Sequence, residues 1–197
     1  EPEAVDRASG TSRPLKRQDV SASPLKAPDL STTAAADDGA DDTPATLESR
    51  AASAAPPERQ DLKLRAAQGY IQQGDTAQAS RILSGIDLRG LGVSYHYRRQ
   101  LLYVEMEQKR GAHARALSIL AALGRQRSAP PEISAEIYRL SAASQIELRK
   151  YLDAAGSLAT RERYLTDADE VTTNASNLWN LLRLSDAASV TGARATV

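Results

Sequence analysis

Three alanines constrain this chain more than any other feature. Ala79, Ala116 and Ala154 stand 37 and 38 residues apart. Each lies five residues after a break position, in Gly74-Asp-Thr-Ala-Gln-Ala79, Gly111-Ala-His-Ala-Arg-Ala116 and Arg149-Lys-Tyr-Leu-Asp-Ala154. Each is followed four residues later by a leucine, Leu83, Leu120 or Leu158. A small residue recurring at this period marks places where two helices approach closely. The pattern predicts an all-α solenoid of helical hairpins, of the tetratricopeptide type. Folds of this kind bind other macromolecules far more often than they carry out chemistry.

The repeat occupies only part of the 197 residues. Residues 1–57 hold seven of the nine prolines and no aromatic residue. Their large apolar side chains are sparse and unperiodic, too few to offset the entropy of ordering. They read as a disordered tether rich in Ala, Ser, Pro and Asp. The folded part is expected over 58–186, which holds all seven tyrosines and Trp179. Residues 187–197 read as a tail or a linker to a further domain. Charge is split across the same boundary. Ten acidic and six basic side chains give −4 before residue 58, and fifteen against nineteen give +4 after it. That excess forms no basic stripe with interleaved aromatics, so nucleic acid is not an expected partner. No apolar run approaches the length that spans a bilayer.

Proline grammar and caps set the helix boundaries. Pro56-Pro57-Glu58 opens a first helix with Leu62, Ala66, Ala67, Tyr70 and Ile71 at helical spacing. Gly74 ends it, Asp75 or Thr76 caps its partner, and Ala79, Ile82, Leu83 and Ile86 form the buried stripe. After Gly90-Leu91-Gly92, Ser94 is the expected N-cap of a second hairpin. Tyr97, Leu101, Val104 and Met106 lie on its first helix, and Ala116, Leu117, Leu120 and Leu123 on its second, which Gly124 caps. Pro130-Pro131-Glu132 opens a third, with Ile133, Ile137, Leu140 and Ser144 facing Tyr151, Ala155 and Leu158. Thr166 or Asp167 starts a capping box ahead of a final helix over 171–185 that caps the stack, with Leu178, Leu181 and Leu182. Trp179 reads as a core residue of that helix.

Catalytic signatures are missing from the sequence. It has no nucleophile elbow, Walker loop, zinc helix or dinucleotide fingerprint. There is no cysteine, and the only histidines, His96 and His113, read as packing or surface residues. No cofactor and no metal are expected. Asn174-Ala175-Ser176 matches a glycosylation acceptor, but Asn174 reads better as a helix cap. Hairpin solenoids bind along the face lined by the first helix of each pair. With the alanines as register marks, that concave face carries Gln68, Gln72, Arg98, Glu105, Gln108, Lys109, Glu136, Arg139 and Glu147. The mixture suits polar contacts to a peptide or glycan strand.

The order of segments resembles one family. Its features here are Ala66-Ala-Gln-Gly-Tyr-Ile-Gln-Gln-Gly74-Asp followed by Ala79-Ser-Arg-Ile-Leu83, then Ala114-Arg-Ala-Leu-Ser-Ile-Leu120. Tyr138-Arg-Leu-Ser-Ala-Ala-Ser through Tyr151-Leu-Asp-Ala-Ala155 and the helix Asn177-Leu-Trp-Asn-Leu-Leu182 complete it. Over about 58–186 the chain is similar to the N-terminal helical domain of penicillin-binding-protein activator lipoproteins, the LpoA type of Gram-negative bacteria. The resemblance implies a periplasmic, non-catalytic interaction module. It implies a protein anchored to the outer membrane by a lipid on an N-terminal cysteine absent from this chain. The implied partner is a bifunctional penicillin-binding protein, with contact attributed mainly to a C-terminal domain, and peptidoglycan is a second implied partner. The alternative is a generic tetratricopeptide adaptor in outer-membrane or pilus assembly. A glycan-cleaving enzyme would need a catalytic glutamate, and Glu105, Glu136 and Glu147 sit in no catalytic grammar.

Overall fold

The computed structural model describes residues 42–126 and 128–194, with side chains as far as Asp186. Residues 1–41 of the expected tether and the last three residues of the expected tail lie outside the described residues. Among the described residues eight helices follow one another: α1 (Pro44–Ser53), α2 (Glu58–Gln72), α3 (Thr76–Ser84), α4 (Val93–Lys109), α5 (His113–Gly124), α6 (Pro131–Glu147), α7 (Tyr151–Arg161) and α8 (Ala168–Arg194). A 3₁₀ turn, Glu162–Tyr164, lies between the last two. No strand occurs among the described residues. The helices pair as α2·α3, α4·α5 and α6·α7, with α1 against α2 and α8 against α7.

The alanine register works as the spacing predicts. Ala79, Ala116 and Ala154 are fully buried, and so, within 1% exposure, are Leu83, Leu120 and Leu158. The break positions share one backbone device. Gly74, Gly111 and Arg149 all adopt positive φ, at 82°, 75° and 57°. The next residue's N–H then reaches back five residues, from Asp75 to Tyr70 O, from Ala112 to Glu107 O and from Lys150 to Gln145 O, at 2.8–2.9 Å. This left-handed closure satisfies the last carbonyls of each first helix and turns the chain into the second. Arg149 fills a site that suits glycine.

Among the described residues, three apolar clusters run along the stack. The first joins α1, α2 and α3 to Leu102 and Met106 of α4. The second holds Tyr97, Leu101 and Val104 of α4, Ala116, Leu120 and Leu123 of α5, and Ile133, Ile137 and Leu140 of α6. The third joins Ala142 and Ile146 of α6 to α7 and to Leu181 of α8. Helices α4 and α6 each serve two clusters, which is how a hairpin that cannot bury its own apolar face is completed by its neighbour.

Several boundaries differ from the sequence reading. Folded structure starts before residue 58. Thr43 caps α1 by accepting from the N–H of Thr46, Pro44 occupies the first turn, and Leu47 and Ala51 are buried against α2. Glu48 of this helix takes both oxygens to Arg81 of α3, at 2.6 and 2.8 Å. One leucine and one alanine four residues apart were enough of a stripe once α2 offered a surface. The N-cap of α4 is Gly92, and Ser94 lies inside the helix. Gly124 is the last residue of α5, and Arg125 follows as the cap. Asp75 does cap α3, accepting from Gln78 N–H at 3.0 Å. Asp167 starts α8, accepting from the N–H groups of Asp169 and Glu170. That helix begins at Ala168 and runs to Arg194, through most of the expected tail.

Candidate functional site

The first helices α2, α4 and α6 lie side by side, because cross-links fall at the repeat spacing. Arg98 of α4 donates to Asp61 of α2 at 2.7 Å, 37 positions away. Gln108 of α4 donates to Ser144 Oγ at 2.8 Å and Leu140 O at 2.9 Å of α6, 36 and 32 positions away. Glu105 acts on Glu136 and Arg139, and Gln108, further along α4, reaches Leu140 and Ser144, further along α6, so the two helices run parallel with equivalent residues at one level. The face expected from the sequence is therefore a set of rungs.

Its residues divide by what they touch. Arg98 and Gln108 are occupied by the rungs just described. Glu136 and Arg139 form a tight pair on α6, with Arg139 Nε to Glu136 Oε2 at 2.8 Å and Nη2 to Oε1 at 2.5 Å. Arg139 is only 7% exposed. Glu105 of α4 is half-buried beside this pair. Burial pushes its carboxyl up to about 7, the Glu136 carboxylate pushes the same way, and Arg139 and Lys109 oppose them. Burial works against the charge of Arg139, but its hydrogen bonds to Glu136 and the charges of Glu136 and Glu105 hold it protonated above the ordinary range. Gln68 is half-buried, and Gln72, Lys109 and Glu147 are exposed. These last three are the final residues of α2, α4 and α6, so the repeat presents a neutral, a basic and an acidic group at equivalent positions on one edge.

Sequence reasoning kept Glu105 and Glu136 apart as isolated helical acids, whereas the fold brings both to one arginine. A carboxyl held near 7 is what a general acid needs. Glycosidic cleavage also needs a second carboxylate free to act as base or nucleophile. Glu136 has both oxygens committed to Arg139, so the cluster has the acids without that freedom. Among the described residues, no three His, Asp or Glu side chains converge as metal ligands, and no helix is long and apolar enough to cross a membrane.

Two residues singled out in the sequence take other places. Asn174 is 1% exposed in the second turn of α8. Its amide donates to Leu158 O at 3.0 Å and its oxygen accepts from Arg161 at 3.2 Å. It is a pin between α7 and α8 and caps nothing, and a glycan on its amide would break that pin. Trp179 is 66% exposed and is not core. Leu181 fills the core from the opposite side of α8, a separation of two residues or about 160° on a helix. One feature escaped the sequence reading entirely. A hollow of about 290 Å³ lies at the end of α5 and the start of α6, lined by Gln126, Ser134, Ile137, Tyr138 and Tyr164. Its two tyrosines stack with ring centroids 5.8 Å apart.

No protein-family model matches the chain, and no curated protein matches it by sequence. Solved structures do. The amino-terminal domain of LpoA from E. coli superposes with a TM-score of 0.57 at 19% identity, covering 73% of this chain and 62% of that one. Haemophilus influenzae LpoA superposes with a TM-score of 0.56 at 20% identity, covering 74% of this chain and 27% of that one. The chain thus spans about three-fifths of the first structure and about a quarter of the second. At such identities the likeness is one of fold, and by its fold this chain is a tetratricopeptide-like helical domain built as the LpoA amino-terminal domain is.

Proposed function

We propose that this chain is a non-catalytic interaction module of the bacterial envelope, part of an outer-membrane lipoprotein that activates a peptidoglycan synthase. The observation that carries this reading is the shared fold with LpoA domains from two organisms. The arrangement of the first helices supports it. Their core-side and rung residues hold the stack together, and their C-terminal ends expose Gln72, Lys109 and Glu147 at equivalent positions, ready for polar contacts. The protein partner is a bifunctional penicillin-binding protein, and the compartment is the periplasm. The nine face residues named from the sequence are the proposed partner surface, with Gln68, Gln72, Lys109 and Glu147 as its accessible members. Arg98 and Glu105 are half-buried within it, and Gln108, Glu136 and Arg139 shape it from beneath.

The test is direct binding between purified partners. A bifunctional penicillin-binding protein is passed over the immobilised chain, and glycan polymerisation by that enzyme is followed with the chain added. Binding that weakens about tenfold in the double variant Lys109→Glu, Glu147→Lys is the expected result. The same variants must leave the helical circular dichroism spectrum unchanged. Failure of the chain to bind overturns the reading. Release of muropeptides from purified sacculi by the chain alone would replace it with an enzymatic one.

A further inference from the structure

The seam between the second and third hairpins contains a carboxyl with no ion pair of its own among the described residues. Glu136 and Arg139 of α6 satisfy each other through two hydrogen bonds. Glu105 of α4 stands near the same pair, half-buried, with no hydrogen bond or ion pair of its own among the described residues. Lys109, one turn along α4, is exposed and lies in water. The other helices packed on α4 bring little that would balance Glu105. At its level α2 presents the neutral Gln68, 37 positions away by the Asp61–Arg98 register, with Arg65 almost a turn earlier. The one charged residue of α3, Arg81, is bonded to Glu48 of α1. On α5, Arg115 faces Glu107 at 3.7 Å, and His113 stands at the first turn. Arg161 of α7 acts on Glu136 and Arg139 from behind, near Glu170. Glu105 is thus a second carboxyl beside a Glu136–Arg139 pair that is already made.

From this geometry we infer that the Glu105–Glu136–Arg139 cluster is a pH-responsive joint, closed when Glu105 is protonated and loosened when it is charged. A neutral Glu105 adds no repulsion beside Glu136 and needs no hydration. A charged Glu105 puts a second negative charge beside Glu136 in a half-buried seam with no hydrogen bond to hold it, and the cheapest relief is to let water in between α4 and α6. The inference is independent of the proposed partner.

The sign follows from linkage. In the closed seam the group titrates near 7, against an ordinary value of 4.5 when solvated. Below pH 4.5 both states hold the proton, and the seam is at its firmest relative to the open state. Closure weakens as pH rises from there and levels off above about 7. Between pH 6 and 8 the opening equilibrium should rise about tenfold.

Carboxyl NMR of the ¹³C-labelled chain gives the first readout. Glu105 is expected to titrate with a midpoint near 7, and Glu136→Gln should lower that midpoint. Amide hydrogen exchange gives the second. After correction for intrinsic rates, the facing amides of α4 and α6 should exchange about tenfold faster at pH 8 than at pH 6. Amides of α2 and α3 should not change, and Glu105→Gln should abolish the difference. A wild-type Glu105 midpoint near 4.5 overturns the inference even if the variants fail to fold. So does an exchange response that is uniform along the chain, or one that survives in Glu105→Gln.

Discussion

Arg149 shows how one residue can obey a repeat that its own chemistry resists. The spacing of Ala154 from Arg149 equals that of Ala79 from Gly74, so the register alone marked it as a break position. The backbone agrees, with φ at 57°. A side chain in the left-handed region costs roughly 1–2 kcal/mol, because Cβ crowds the following carbonyl. Glycine there would remove the strain but add freedom to the unfolded chain. Arg149→Gly is therefore expected to stabilise the protein by about 0.5–1 kcal/mol, read as a higher midpoint in urea unfolding. A lower midpoint would mean that the guanidinium makes a contact worth more than the strain. The capping aspartates were legible for the same local reason, since Asp75 and Asp167 act on N–H groups two or three residues ahead. Asn174 was not legible. Its burial depends on Leu158, sixteen residues away, and no local signal distinguishes a pin from a cap.

The elements were readable where their apolar stripes were long. Helices α2 to α7 each carry several large side chains at helical spacing, and their pairing follows from the alanine period. Helix α1 escaped because it has only Pro44, Leu47 and Ala51 to bury, set in a stretch dominated by small and polar residues. The retrospective signal is Thr43-Pro44, a cap followed by a first-turn proline, with an apolar pair four apart. Close approach completes it. A Cβ on Gly69 of α2 would stand 2.6 Å from Cγ of Pro44, so α1 depends on a bare backbone opposite its first turn. Leu47→Ala is expected to cost about 2–5 kcal/mol, as truncation of a buried leucine does. Gly69→Ala should push α1 outward, and amide exchange should then report loss of protection across residues 44–53 ahead of the rest of the chain. If neither substitution changes stability or protection, α1 is not part of the folded unit.

At the scale of the whole molecule, stability passes along the stack by sharing. Helices α4 and α6 belong to two clusters each, so every hairpin is completed by the one after it. The last full hairpin is completed by α8, whose Leu181 is fully buried while Leu178, Leu182 and Leu184 are packed against the same cluster. Those leucines already fill the inward stripe of α8, which explains why its tryptophan is left outside. Counting apolar residues on the helix predicted an inward Trp179; the angular positions of the leucines put it opposite. The two residues should therefore behave differently despite lying two apart. Leu181→Ala is expected to cost about 2–5 kcal/mol and to shift thermal unfolding downward. Trp179→Ala is expected to stay within about 0.5 kcal/mol of the parent, as exposed positions do. Because Trp179 is the only tryptophan, fluorescence reads it alone. Its emission in the folded chain should match that of a water-exposed indole, and acrylamide should quench it nearly as well as in the unfolded chain. A blue-shifted, protected emission in the folded monomer would place the ring inside and reverse the assignment of faces on α8. If the emission becomes protected only as protein concentration rises, copies of the chain are covering that outer face.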